Sequence, residues 1–153
     1  MPSPSRSTLA GFTYLFRPSA TTPSAASPAL LLLHGTGGDE ADLLPIASAL
    51  APNALLRRAA PESPAPLSEL AGAILLRPMV TFDPAPGSLP DLTGRRVLLL
   101  HGEADPTVPP HHREALARAF TTAGAEARSA ITGRDHALHQ RDLDTAAAWL
   151  AER

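Results

Sequence analysis

The chain has 153 residues and a net charge of −2 at pH 7, enough for one domain with its own core and too short for two. That charge sets up no field that would draw nucleic acid or an anionic membrane surface. All 13 basic residues are arginines and there is no cysteine, which excludes Schiff-base chemistry, a phosphate-loop lysine, a thiolate nucleophile, disulfides and cysteine metal sites.

The first residues, Met1 to Phe12, lack the apolar stretch of a signal peptide, so a cytoplasmic protein is expected. Thr13–Arg17 is a weak strand candidate, and the Pro, Ser and Thr of 18–28 suggest a loop. Ala29–Leu33 is short, continuously apolar and bounded by Pro and Gly, as a buried parallel strand would be. A helix is expected over Leu44–Ala51, with Pro45 in its first turn where a missing amide costs little. A second weak strand follows at Ala54–Arg58. Buried strands are expected at Ala73–Leu76 and Val97–Leu100. Pro110–Ala123 has Leu116 and Phe120 at i,i+4 and Gly124 as a stop, which predicts a helix. Glu126–Ile131 alternates like an edge strand. Asp142–Arg153 presents Leu143, Ala147 and Leu150 on one helical face. Strands alternating with helices predict an α/β fold with a mostly parallel sheet flanked by helices, in a single domain over 1–153.

One connection is barely long enough and has the wrong composition for a crossover. Between the strands at 54–58 and 73–76, a parallel crossover needs a dozen or more residues and normally a helix. Pro61, Pro64 and Pro66 forbid a helix through most of that span.

Three segments carry candidate chemistry. His34-Gly35-Thr36-Gly37-Gly38 follows a buried strand. Its glycines let backbone amides turn toward a ligand, with the Thr36 amide as a donor to a developing oxyanion; the structural alternative is a glycine-rich turn without a ligand. Asp105 follows the strand at 97–100 in a turn stiffened by Pro106 and Pro109. A carboxylate is thereby placed at the C-terminal edge of the sheet, where α/β folds bind ligands; the alternative is a turn or cap aspartate. His136 lies in a polar loop between the last strand and the last helix, where it could accept a proton while Asp105 fixes its tautomer; the alternative is a solvated loop histidine. His139 is assigned to the start of the last helix, and His111 and His112 to the solvated start of another. His34, His101 and His136 contain no pair at helical or ribbon spacing, which argues against zinc.

Glycine loop, aspartate and histidine, each after a strand, stand in the order of the α/β-hydrolases. The wording LLLHGTGGDEADLL (31–44), AILLRPMV (73–80) and VLLLHGEADPTVPP (97–110), with His136–Leu150, resembles the small carboxylesterase/phospholipase (acyl-thioesterase-like) family of that fold. The resemblance implies Thr36, between Gly35 and Gly37, as an oxyanion amide, Asp105 as the triad acid and His136 as the general base. It implies carboxylic-ester hydrolysis of small-molecule substrates without a cofactor.

The chain departs from that pattern at one place. No serine has glycine two residues before and two after it, so the Gly-x-Ser-x-Gly nucleophile turn is absent and no nucleophile is identified. In the family the strand matching 54–58 is followed by a helix, the strand bearing that turn and a second helix, on the order of 40 residues or more. They are expected to be missing near 60–70, where the crossover is barely long enough and proline-rich. A reduced sheet of about five or six strands is therefore expected, with edges that a homodimer would cover. Ester hydrolysis is expected to be impaired or lost, leaving a binding role or a truncated gene product as the alternatives.

Overall fold

The computed structural model describes residues 5–9, 12–16, 44–50, 71–80 and 89–152. The chain divides into two compact units, Met1–Ala65 and Pro66–Arg153. The strands expected at 29–33 and 54–58, the glycine loop at 34–38 and the short crossover all lie outside the described residues.

In the first unit, strands β1 (Ser5–Leu9) and β2 (Phe12–Phe16) pair antiparallel, with Leu9 opposite Phe12. Phe12, Tyr14 and Phe16 give β2 its strand propensity. Its partner β1, Ser-Arg-Ser-Thr-Leu, has no apolar period and is not predicted from sequence. Helix α1 covers Leu44–Leu50.

The second unit holds a parallel sheet of β3 (Gly72–Leu76), β4 (Arg96–Gly102) and β5 (Glu126–Gly133), in the order β3-β4-β5. The five or six strands expected for the whole chain compare with three in this sheet among the described residues. β4 has a neighbour on each side, and Val97, Leu98, Leu99 and Leu100 are all buried. β3 has one described neighbour, which leaves its apolar run half-buried instead of fully buried as expected. The alternation expected for β5 is not kept: Glu126, Arg128, Ser129 and Ile131 are exposed and Ala127 and Ala130 half-buried, and among the described residues β5 pairs with β4 on one side.

Helices α2 (Pro110–Thr122) and α3 (Gln140–Ala151) complete the unit. Leu92, Val97, Leu99 and Ala125 form a buried cluster, against which Leu75, Leu116 and Phe120 pack. Gly124 ends α2 with φ of 90°, and a Cβ there would lie 2.6 Å from Thr93 Oγ1. α3 starts two residues before the predicted Asp142, and its buried face is not the predicted one. Asp142, Ala146 and Trp149 are buried, whereas Leu143, Ala147 and Leu150 are half-buried. Two charged contacts account for the rotation. Arg77 draws Asp142 inward at the start of the helix. At the other end, Arg96 lies 4.3 Å over the Trp149 ring and donates to the carbonyls of Trp149 and Glu152. α3 has no basic residue in its own last turn, so Arg96 supplies the charge its carbonyl end favours.

Leu99→Ala should destabilise this unit by about 2–5 kcal/mol, since Leu99 is fully buried at the centre of the sheet. Urea unfolding followed by the fluorescence of Trp149, the single tryptophan, measures it. A cost below about 1 kcal/mol would contradict this packing.

Candidate functional site

The sequence places Asp105 and His136 a few residues past expected strands, and the structure, with β4 ending at Gly102 and β5 at Gly133, puts each three residues past a strand and brings them together. The β4–β5 register runs to His101 opposite Ile131 and then jumps to Gly102 opposite Gly133, leaving Thr132 as the extra residue of a bulge. The ladder then continues beyond both strands. The Glu103 amide donates to Gly133 O at 2.8 Å and the Ala104 amide to Arg134 O at 2.7 Å. The bulge therefore equalises the two turns, and three residues later on each side Asp105 faces His136. Gly102 permits the close approach, because a Cβ there would collide with the Asp135 carbonyl.

His136 Nδ1 lies 2.9 Å from Asp105 Oδ2. The other carboxylate oxygen accepts the amides of Thr107 at 2.8 Å and Val108 at 3.1 Å. Asp105 is thus both the turn aspartate of the alternative reading and a partner for histidine, one oxygen for each. Its side chain is 2% exposed, against 46% for His136. Burial is the largest influence on its pKa and pushes the carboxyl up. It is outweighed by the hydrogen bond to His136, the two amides and the histidine's charge, so the pKa settles below the usual carboxylate range. An ionised Asp105 makes Nδ1 the donor and leaves Nε2 for a reacting proton.

The loop carrying His136 is held by a residue that sequence reasoning passed over. Arg77 ends the apolar run of β3, its amide donates to Leu100 O at 2.8 Å, and its φ is 52°. A left-handed conformation costs a non-glycine residue roughly 1–2 kcal/mol, and here it turns the side chain into the unit. Arg77 Nη1 and Nη2 meet Asp142 Oδ1 and Oδ2 at 2.7 and 2.9 Å, a two-pronged ion pair with both side chains buried. The bulge residue Thr132 donates its hydroxyl to Asp142 Oδ1, and the His139 amide donates to Oδ2 at 2.8 Å. Burial pushes the Asp142 carboxyl up, but Arg77, Thr132 and the His139 amide hold it below the ordinary value.

The other histidines divide clearly. His139 caps α3, as expected, and lies 2.9 Å from exposed Asp135. His112 is half-buried and accepts the Val80 amide at 3.2 Å, so it is not simply solvated. His101 is 3% exposed and its Nε2 has no hydrogen-bond partner among the described residues. Burial, with help from the charges of Arg113 and Arg77 and against that of Asp105, pushes its pKa down, which keeps it neutral. Among the described residues no cluster of histidine and carboxylate side chains could hold a metal ion.

Gly35, Thr36 and Gly37 lie outside the described residues. The structure therefore brings Asp105 and His136 together and leaves the oxyanion assignment to the sequence.

Asp105 and Asp142 both have lowered pKa values in the folded chain, so they contribute stability that is complete above the unfolded carboxylate value of about 3.9. That contribution is lost as pH falls through the lower folded values. Urea midpoints should fall between pH 6 and pH 3, and Asp105→Asn should fall less than the parent chain. Equal losses in the two proteins would contradict the role given to Asp105.

No protein-family model and no curated protein matches the sequence. Solved structures do match the fold. A carboxylesterase from Mesorhizobium loti is 23% identical, with a TM-score of 0.77 over 97% of this chain and 99% of that one. The Bacillus cereus carboxylesterase is 23% identical, with a TM-score of 0.73 over 90% and 92%. YahD, solved with malic acid, is 20% identical, with a TM-score of 0.65 over 91% and 98%. At such identities the likeness is one of fold: the chain has an α/β fold with a parallel sheet and helices similar to those of carboxylesterase structures.

Proposed function

We propose that the chain is an α/β-hydrolase of carboxylesterase/phospholipase type that keeps the acid and base of a Ser-His-Asp mechanism and lacks the nucleophile. In that mechanism a serine attacks the ester carbonyl, His136 Nε2 takes the serine proton, and Asp105 stabilises the imidazolium at Nδ1. The 2.9 Å contact between His136 Nδ1 and Asp105 Oδ2 is the observation that supports these roles. The glycine loop supplies Thr36 as one oxyanion amide. The second would come from the residue after the nucleophile, in the turn the sequence lacks. Without the serine, ester hydrolysis falls by several orders of magnitude, whatever the state of the other two residues.

The absence of Gly-x-Ser-x-Gly favours a second reading. The chain then acts as a non-catalytic binding protein that holds a small acid or ester beside His136. No helix among the described residues is long and apolar enough to cross a membrane, and the proposed setting is cytoplasmic.

A fluorophosphonate probe should label no serine of the folded chain. Labelling of one serine that is abolished by His136→Ala overturns the inactive reading and restores a working hydrolase. The binding reading expects acetate or methyl propionate to shift the His136 ring resonances saturably. A ring indifferent to both overturns it.

A further inference from the structure

His136 sits in a run of exposed residues, from Arg134 to Gln140. An exposed loop samples many backbone conformations unless something fixes it. Its ring is held by Asp105, but a hydrogen bond to one ring nitrogen does not set the backbone that presents the ring.

Arg77 supplies that constraint. Its Nε donates to the Asp135 carbonyl at 3.0 Å and its Nη2 to the Ala137 carbonyl at 3.0 Å. These are the residues immediately before and after His136. The remaining contacts of the guanidinium face inward, to Asp142 and to Thr132 Oγ1 at 3.4 Å. The side chain is thereby anchored to β3 by its own backbone, to α3 by Asp142 and to the bulge in β5 by Thr132.

We propose that Arg77 is a positioning residue for His136: by fixing the carbonyls on both sides of the histidine, it sets the approach of the imidazole to Asp105. The function depends on the planar fork of arginine. Lysine offers one ammonium centre, which can keep the charge beside Asp142 but cannot span both carbonyls at once. A purely structural Arg77 would stabilise α3 through Asp142 and leave the state of the His136 ring unaffected.

The proposal deepens the reading of His136 as the base, and its test reads the ring itself, with no turnover required. In the full chain labelled with 15N-histidine, neutral His136 should carry its proton on Nδ1, as Asp105 requires. Two variants probe Arg77. R77K keeps the charge, and R77M/D142N removes the two buried charges together while an amide oxygen stays in place to accept the His139 N–H. Trp149 fluorescence reports that each remains folded, and either one suffices if the other does not fold. In the folded variant His136 should shift toward the Nε2–H tautomer and lose its Nδ1–H signature, while the His111 ring on α2 is unchanged. Retention of the Nδ1–H form in a folded variant overturns the positioning role. A parent chain whose His136 lacks the Nδ1–H form overturns the pairing with Asp105 itself, and with it the assignment of the base.

Discussion

The backbone ladder between β4 and β5 is the constraint on which the rest of the site depends. It continues past the last residues of both strands through the Glu103 and Ala104 amides, so the two turns leave the sheet as one stitched unit. The meeting of Asp105 with His136 follows from counting residues beyond that stitch. One extra residue in β5, Thr132, makes the count equal on the two sides. The same bulge sends the Thr132 hydroxyl to Asp142, so the feature that aligns Asp105 with His136 also anchors the helix behind them.

Arg77 and Asp142 extend this frame. A buried ion pair is weak support for net stability, because desolvation offsets much of the attraction. Here the pair has a geometric consequence instead. It joins the end of β3 to the start of α3 and leaves two guanidinium N–H groups for the loop between β5 and α3. The left-handed φ of Arg77 persists because five hydrogen bonds from its side chain determine the conformation from outside.

Much of the second unit was legible in the sequence. The continuous apolar run at 97–100 marked the buried strand β4, the segment 126–131 was placed as a strand although its burial does not alternate, and Gly124 marked the end of α2. Asp105 and His136 could be singled out because each follows a strand by a few residues in a turn of polar or proline-rich composition. Arg77 could not. It stands at the end of an apolar run in a chain whose basic residues are all arginine, so composition gives it no prominence, and its partners lie 55 to 65 residues away. Asp142 was hidden for a related reason. Hydrophobic periodicity predicted a face of Leu143, Ala147 and Leu150, and a buried carboxylate one position earlier contributes nothing to such a pattern. The bulge at Thr132 has no local signature either, since it is defined by register against another strand. β1 was missed because its residues neither alternate nor concentrate β-branched or aromatic side chains; its partner β2 supplies those.

The sequence holds no Gly-x-Ser-x-Gly turn, which raises the question of what brings Asp105 and His136 together. The answer lies in which residues hold them. The groups shown to fix Asp105 and His136 come from Arg77, Gly102 to Val108 and Thr132 to Asp142, all within the second unit. None belongs to the stretch between Ala60 and Leu70 where the sequence departs from the hydrolase pattern. A contact built this way is maintained by the stability of β4, β5 and α3. The pair therefore reports on the local fold of β4, β5 and α3. For that reason the ring of His136, and not the rate of an ester assay, is the sensitive reporter of whether this pairing is intact.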